Sequence, residues 1–170
     1  MHFLVRSLSI ATLAALGACG FHLRGNIRLS PTLTRVHVTS SDPGGVLKAN
    51  IEGILQHSGA TIEEKPGTGV AEIAMTGVSS TTQVGSVGTN ARVNEFIMIY
   101  HVDLEITDGT GKVIVPKQPI EQNRRFTFDQ TQAVGTSAEQ DQIQREMLRD
   151  MTQAIVRKIE VIERKLNETQ

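Results

Sequence analysis

The sequence predicts an α+β fold, a two-layer sandwich in which two amphipathic helices pack on one face of a four-stranded, mostly antiparallel sheet. Three observations support this class: an amphipathic helical segment early in the chain, a series of alternating strand-like segments, and a long amphipathic helical segment at the end. Each segment carries one apolar face. Helices laid on a single face of a sheet bury all of these faces together.

The first two elements lie between residues 35 and 59. Arg35 to Thr39 is short, alternating and β-branched, which is typical of a strand. Asp42 and Pro43 follow in the order expected of an N-cap and a first helical residue. Apolar residues then recur at helical spacing until Gly59, a suitable helix stop. These residues are Val46, Leu47, Ile51, Ile54 and Leu55.

The strands of the central region show a period of two. Ala71 to Met75 alternates, and a clearer alternation runs from Glu95 to Thr107 with its apolar members on one face. Those members are Phe96, Met98, Tyr100, Val102, Leu104 and Ile106. A turn at 108–111 leads into a return strand, which we expect to begin at Lys112 to Val115 and to resume over Glu121 to Phe128. Pro116 and Pro119 interrupt it, which indicates either an edge position or a bulge.

The last element is predicted to be a long helix that begins at Ser137. Ser137 and Gln140 have the spacing of a capping box. The apolar residues beyond them form one stripe, with arginines such as Arg149 on the opposite, solvated face. The stripe consists of Ile143, Met147, Met151, Ile155, Ile159, Ile162 and Leu166.

The segment Ser79–Arg92 is polar, rich in glycine and without apolar periodicity. It is therefore expected to be a long loop between two strands. One interpretation is a simple hairpin connection. The other is a working loop, because long loops in compact domains are frequently functional.

Composition excludes several classes of function. With 17 Lys and Arg against 18 Asp and Glu, the net charge of −1 is unlike that of a nucleic-acid-binding protein. The five histidines are scattered and have no metal-ligand spacing, and no nucleophile elbow, P-loop or dinucleotide fingerprint is present. We therefore expect no catalytic residues, no metal site and no cofactor.

The N-terminus indicates lipid anchoring. Residues 1–18 have the layout of a signal peptide, with Arg6 ahead of an apolar run from Leu8 to Leu16. Leu16-Gly17-Ala18-Cys19 resembles the bacterial lipobox, in which the cysteine receives acyl chains before cleavage. The alternative is a buried or free thiol, since Cys19 is the only cysteine. Residues 19–170 are then expected to form a single domain anchored at Cys19.

Blocks along the mature chain resemble the LptE family of lipopolysaccharide-assembly lipoproteins. The opening Cys19-Gly20-Phe21-His22-Leu23-Arg24 is similar to the family's first residues. Further similar blocks follow in order, and these are Ser41 to Gly45, Glu95 to Met98, Phe126 to Asp129, Glu139 to Asp141 and Gln144 to Met147.

The resemblance implies two helices on a four-stranded sheet and a partner, the β-barrel LptD, which an LptE plugs and helps to assemble so that lipopolysaccharide reaches the outer leaflet. It implies a protein held by its N-terminal lipid on the periplasmic side of the outer membrane. The family's basic lipopolysaccharide-binding positions are occupied here by Thr89 and by Thr136 or Ser137. Only Arg92, by proximity to Thr89, is carried over as a lipopolysaccharide contact.

Two other functions remain as alternatives. One is a lipoprotein chaperone or pilotin that docks on a different envelope machine, such as a secretin. The other is a lipid-anchored periplasmic enzyme, which the missing reactive constellation argues against. Co-purification with a barrel distinguishes the first of these from an LptD plug.

Overall fold

The computed structural model describes residues 29–89, 93–127 and 133–168, where the chain forms five strands and two long helices. A short 3₁₀ turn at Pro31–Leu33 leads into the first strand. In chain order the elements are β1 (Arg35–Ser40), α1 (Val46–His57), β2 (Thr61–Ile62), β3 (Ala71–Val87), β4 (Val93–Thr107), β5 (Val113–Thr127) and α2 (Ala133–Glu168).

The sheet has the order β2-β1-β3-β4-β5 and is mixed. β1 lies parallel to both β2 and β3, whereas β3, β4 and β5 form an antiparallel meander. The α+β class with two helices is confirmed, but the prediction of four strands was wrong by one. The extra strand, β2, has two residues, which are too few to show any alternation in the sequence.

The prediction of a loop over Ser79–Arg92 was wrong for most of its length. β3 continues to Val87, paired with β4 from Ser79 opposite His101 to Val87 opposite Val93. Most side chains from Ser79 to Val87 are exposed on both faces of the sheet, so no alternation of burial marks this part of the strand. Its serines and threonines are held in the sheet by pairing with the apolar β4, a tertiary effect that local periodicity does not reveal.

β5 is the edge strand beside β4, and it runs without interruption through both prolines. The register shifts between the pairs Leu104–Gln118 and Ile106–Val115, so Pro116 and Lys117 lie opposite the single residue Glu105 and β5 carries one extra residue. An edge strand with a bulge accommodates residues that lack an N–H donor. The edge position and the bulge are therefore confirmed, whereas the expected interruption of the strand between Val115 and Glu121 was wrong.

Helix α1 begins later than the sequence predicted. Its first residue is Val46, although the Asp42 carboxylate accepts a hydrogen bond from the Leu47 N–H at 2.8 Å and so caps the helix across an intervening turn. The end agrees with the prediction. Gly59, at φ 98°, donates to the Gln56 carbonyl, and Ala60 donates to that of Leu55, which is a Schellman motif.

Helix α2 also differs from the prediction at its start, since it begins at Ala133 and not after a cap at Ser137. Its apolar stripe is confirmed: Met147, Met151, Ile155 and Ile159 are fully buried. They join the buried side chains of α1 and of one sheet face in a single core. That sheet face is called the inner face below, and the opposite one the outer face.

Candidate functional site

Neither residue predicted to carry a site lies within the described part of the chain. Cys19 precedes residue 29, and Arg92 falls in the gap between residues 89 and 93. The structure does define the strands that lead into that gap. Residues 77–87 of β3 and 93–101 of β4, here called the distal hairpin, project beyond the part of β3 that pairs with β1.

Two glycines shape the distal hairpin. The register between β3 and β4 shifts after Thr76 and again after Val84, beside Gly77 and Gly85 respectively. Gly77 has a positive φ of 61°, and a Cβ at Gly85 would lie 3.0 Å from Ile97 Cγ1. Bulges of this kind bend a strand and increase its twist. Gly85, within the expected loop, and Gly77, just before it, are therefore strand residues that bend the hairpin.

On the inner face of the distal hairpin, the side chains of β4 are apolar. Phe96 and Phe126 stack with their ring centroids 5.6 Å apart, and Met98 and Tyr100 are buried next to them along β4. Burial, together with the nearby Asp42 carboxylate, raises the pKa of Tyr100 to about 12. The phenol of Tyr100 therefore titrates even further above physiological pH than a free tyrosine does.

Two side-chain hydrogen bonds join β5 to α2. Arg124 of β5 donates to the Asp150 carboxylate of α2 at 2.5 Å, and Lys158 of α2 donates to Gln118 of β5 at 2.6 Å. The contact nearer the start of β5 is therefore made by the residue nearer the end of α2. The two elements run antiparallel, and the distal hairpin lies toward the N-terminal end of α2.

The outer face of the distal hairpin carries a patch that the sequence analysis missed. Ile97 and Ile99 are half-buried there, although none of the described helices packs against this face. Polar residues surround them on both neighbouring strands. Thr81 and Asn123 lie opposite Ile99, and Gln83 and Arg125 lie opposite Ile97. We call these six residues the outer distal patch.

A sequence signal for this patch exists. The five residues from Phe96 to Tyr100 are all apolar, so the strict alternation of β4 is lost over this stretch. A continuous apolar run is typical of a strand covered on both faces. The isoleucines are therefore candidates for contact with a partner.

A cluster of charged side chains continues the outer face toward the middle of the sheet. His101 contacts the Glu121 carboxylate at 3.1 Å and the Asp103 carboxylate at 3.3 Å, and Lys117 Nζ lies 3.3 Å from the second oxygen of Asp103. The acids and bases of the cluster pair with one another, which leaves a solvated polar surface.

At the opposite end of the molecule, the N-terminal segment is fixed to α2. The backbone N–H of Ser30 donates a hydrogen bond to the Glu163 carboxylate, and both residues are buried. Burial raises the pKa of Glu163, and the hydrogen bonds from Ser30 oppose this change only in part. The chain thus enters the domain beside the C-terminal end of α2.

Within the described ranges, no helix is long and apolar enough to cross a membrane. The same part of the chain holds no group of three or more His, Cys, Asp or Glu side chains that could bind a metal ion.

The sequence model of one protein family matches most of the chain. It is LptE, described as lipopolysaccharide-assembly, and it covers residues 33–159. The chain belongs to the LptE family. The matched region includes every strand of the sheet, α1 and most of α2.

Relatives named as LptE are similar over nearly the whole chain. The LPS-assembly lipoprotein LptE of Photorhabdus laumondii is 27% identical over 152 residues, which cover 89% of this chain and 82% of that protein. The protein of the same name from Yersinia enterocolitica is 30% identical over 161 residues, which cover 91% of this chain and 74% of that protein.

Solved structures of other lipoproteins have a fold similar to that of this chain. An uncharacterized lipoprotein B from Nitrosomonas europaea superposes with a TM-score of 0.68 at 25% identity, covering 83% of this chain and 90% of that one. The rare lipoprotein B from Shewanella oneidensis gives a TM-score of 0.67 at 19% identity, covering 78% and 98%. At 19% identity, the Shewanella oneidensis structure shows a similar fold only.

Proposed function

We propose that this LptE-family chain is a non-catalytic outer-membrane lipoprotein that plugs the β-barrel LptD and helps to assemble it for the insertion of lipopolysaccharide into the outer leaflet. The family match over residues 33–159 is the observation that carries this proposal. In this proposal the signal peptide ends at Ala18, and a lipid on Cys19 holds residues 19–170 on the periplasmic side of the membrane.

The outer distal patch supports a role in docking. The lumen of a membrane β-barrel is polar, so a plug must offer polar groups to it. Around Ile97 and Ile99 the patch offers hydroxyl, amide and guanidinium groups. Two half-buried isoleucines within a polar rim have the composition of a protein interface.

Charge on the outer face also suits such a partner. The pairs among His101, Asp103, Lys117 and Glu121 present both signs at short range. Mixed charges of this kind give orientation and selectivity to docking more than affinity.

Arg92 is proposed as a phosphate contact for lipopolysaccharide, since a guanidinium binds phosphate oxygens through two parallel hydrogen bonds. The two positions at which the family carries basic residues hold Thr89 and Thr136 or Ser137 in this chain, and Arg92 is carried over only by its proximity to Thr89. Arg92→Ala should therefore weaken lipopolysaccharide binding only modestly.

Affinity purification of the tagged chain from solubilised outer membranes tests the proposal. LptD, identified by mass, should co-purify with the unchanged chain, and several-fold less should be recovered with the variant Ile97→Asn/Ile99→Asn. Arg149→Ala, a change on the exposed face of α2, is the matched control and should retain the barrel. Recovery of a secretin or of no barrel would contradict the proposal.

A further inference from the structure

The edge of the sheet opens into a cleft of about 570 Å³ between β5 and the C-terminal half of α2. Apolar side chains from both elements form its floor, including Ile114, Val161 and Ile162. Val161 remains 47% exposed, so the apolar surface is accessible from solvent. A volume of this size is typical of small-molecule sites.

The charges of the cleft have a single sign. Among the described residues that line it, Arg157, Lys158 and Lys165 are positive and none is negative. Arg157, Val161 and Lys165 follow one another at intervals of four residues and so share one helix face. The Cα atoms of Arg157 and Lys165 therefore lie about 12 Å apart along the helix axis, with Val161 between them.

This arrangement matches an anionic amphiphile. Guanidinium and ammonium groups bind phosphate oxygens, and the apolar floor shields an acyl chain from water. Lysine and arginine stems add apolar surface while their charged ends stay in water. The chemistry of the cleft thus favours a phosphate-bearing lipid over either a free phosphate or a neutral lipid.

The N-terminal connection favours the membrane as the source of that lipid. Ser30 is hydrogen-bonded to Glu163, within the helical segment that lines the cleft. Ser30 is the eleventh residue after Cys19, a span of about 40 Å at full extension. A lipid on Cys19 would thus keep the cleft near the leaflet that holds the anchor.

We propose that the cleft between β5 and α2 binds an anionic glycerophospholipid of the anchoring leaflet, with its phosphate on Arg157 and Lys165 and an acyl chain along Val161 and Ile162. The location at the membrane rests on the anchor of the proposed function. The binding chemistry does not, because it depends only on the lining of the cleft.

Tryptophan fluorescence provides the test, because the chain has no tryptophan. Val161→Trp places a single reporter in the cleft, and Val87→Trp places one on the distal hairpin, where Val87 is 58% exposed. The processed full-length protein in mild detergent micelles is titrated with brominated phosphatidylglycerol or brominated phosphatidylcholine, both of which quench tryptophan on contact.

The Val161→Trp protein should be quenched at a several-fold lower concentration of the anionic lipid than of the zwitterionic one, and Val87→Trp should show no such preference. Adding Arg157→Gln/Lys165→Gln should abolish the preference, whereas Arg149→Gln, which removes a charge elsewhere on the same helix, should preserve it. Far-UV circular dichroism verifies that each variant is folded.

Equal quenching by the two lipids, or a preference that survives the loss of Arg157 and Lys165, would overturn the proposal. Unlabelled lipopolysaccharide is the competitor in a further arm. Relief of quenching by lipopolysaccharide at far lower concentration than by unlabelled phosphatidylglycerol would overturn the choice of lipid. The readout needs no barrel, so its failure is distinguishable from failure of the LptD proposal.

Discussion

The Ser30 backbone N–H is hydrogen-bonded to the side chain of Glu163, which lies 133 residues later in the chain. This contact joins the start of the described structure to the end of α2, and it places a carboxylate where it is shielded from water. Burial raises the pKa of that carboxyl group. The stability of the domain should therefore depend on the protonation of Glu163.

The sign of this dependence follows from the raised pKa. A carboxyl group whose pKa is higher in the folded state than in the unfolded state favours folding when it is protonated. This contribution to the unfolding free energy is fully present below the ordinary pKa of 4.5. It is lost as the pH rises through the pKa of Glu163 in the folded state. Glu163→Gln should flatten this part of the pH profile of the unfolding free energy.

Urea unfolding at a series of pH values measures the effect. Glu160→Gln, an exposed change one turn away on α2, is the control and should leave the pH profile unchanged. Glu163→Ala should cost about 1–3 kcal/mol, because the buried Ser30 N–H loses its acceptor. A profile identical for Glu163→Gln and the unchanged chain would contradict this account.

The apolar stripe of α2 gives a second prediction. Ile155 is fully buried in the core, so Ile155→Ala should lower the unfolding free energy by about 2–5 kcal/mol. Arg149→Ala on the exposed face should change it by no more than about 0.5 kcal/mol. Thermal unfolding measures both, and equal shifts in Tm would show that the helix buries a different face.

The bulge at Gly77 gives a third prediction. This residue has a φ of 61°, and a Cβ there would lie 3.2 Å from Asp103 Oδ2. Gly77→Ala should therefore destabilise the domain by about 1–2 kcal/mol, the cost of a left-handed backbone at a residue with a side chain. Gly67→Ala is the control, since its φ is not positive and its nearest contact is Val70 at 4.0 Å. Equal unfolding midpoints would contradict the bulge geometry.

The ion pair between Arg124 and Asp150 leads to a fourth prediction. Both side chains are substantially exposed, so water screens the pair. A double-mutant cycle with Arg124→Ala and Asp150→Ala should give a coupling of about 0.2–1 kcal/mol. The cycle tests the geometry, because a measurable coupling requires Arg124 and Asp150 to lie in contact, in the register at which α2 packs along β5. Additive effects of the two changes would argue against that register.

Much of the fold was predictable because its elements carry regular apolar periods. The alternation from Phe96 to Ile106 and the stripe from Met147 to Ile159 both correspond to buried faces. Helix boundaries were less predictable. Asp42 caps α1 across a turn, and α2 extends one turn before Ser137, where no apolar stripe indicates the helix.

The apolar run of β4 indicates the isoleucines of the outer distal patch, but the polar partners of these isoleucines and the lining of the cleft were not predictable from local patterns. Ile97 and Arg125 face each other only because β4 and β5 pair in a particular register. Arg157 and Lys165 line the same cleft as Ile114 because α2 packs along the sheet edge. Each site is formed by side chains from more than one element, and only tertiary packing brings those side chains together.

Site-specific photo-crosslinking in intact cells tests the central claim, that the distal hairpin docks on LptD, most directly. A photoreactive residue at Thr81, exposed in the outer distal patch, should form a covalent adduct that mass spectrometry identifies as LptD. The same residue at Val113, which is 50% exposed at the opposite end of β5, is the control and should give a much weaker adduct. An LptD adduct no stronger at Thr81 than at Val113, or an adduct with another envelope protein in its place, would contradict the account.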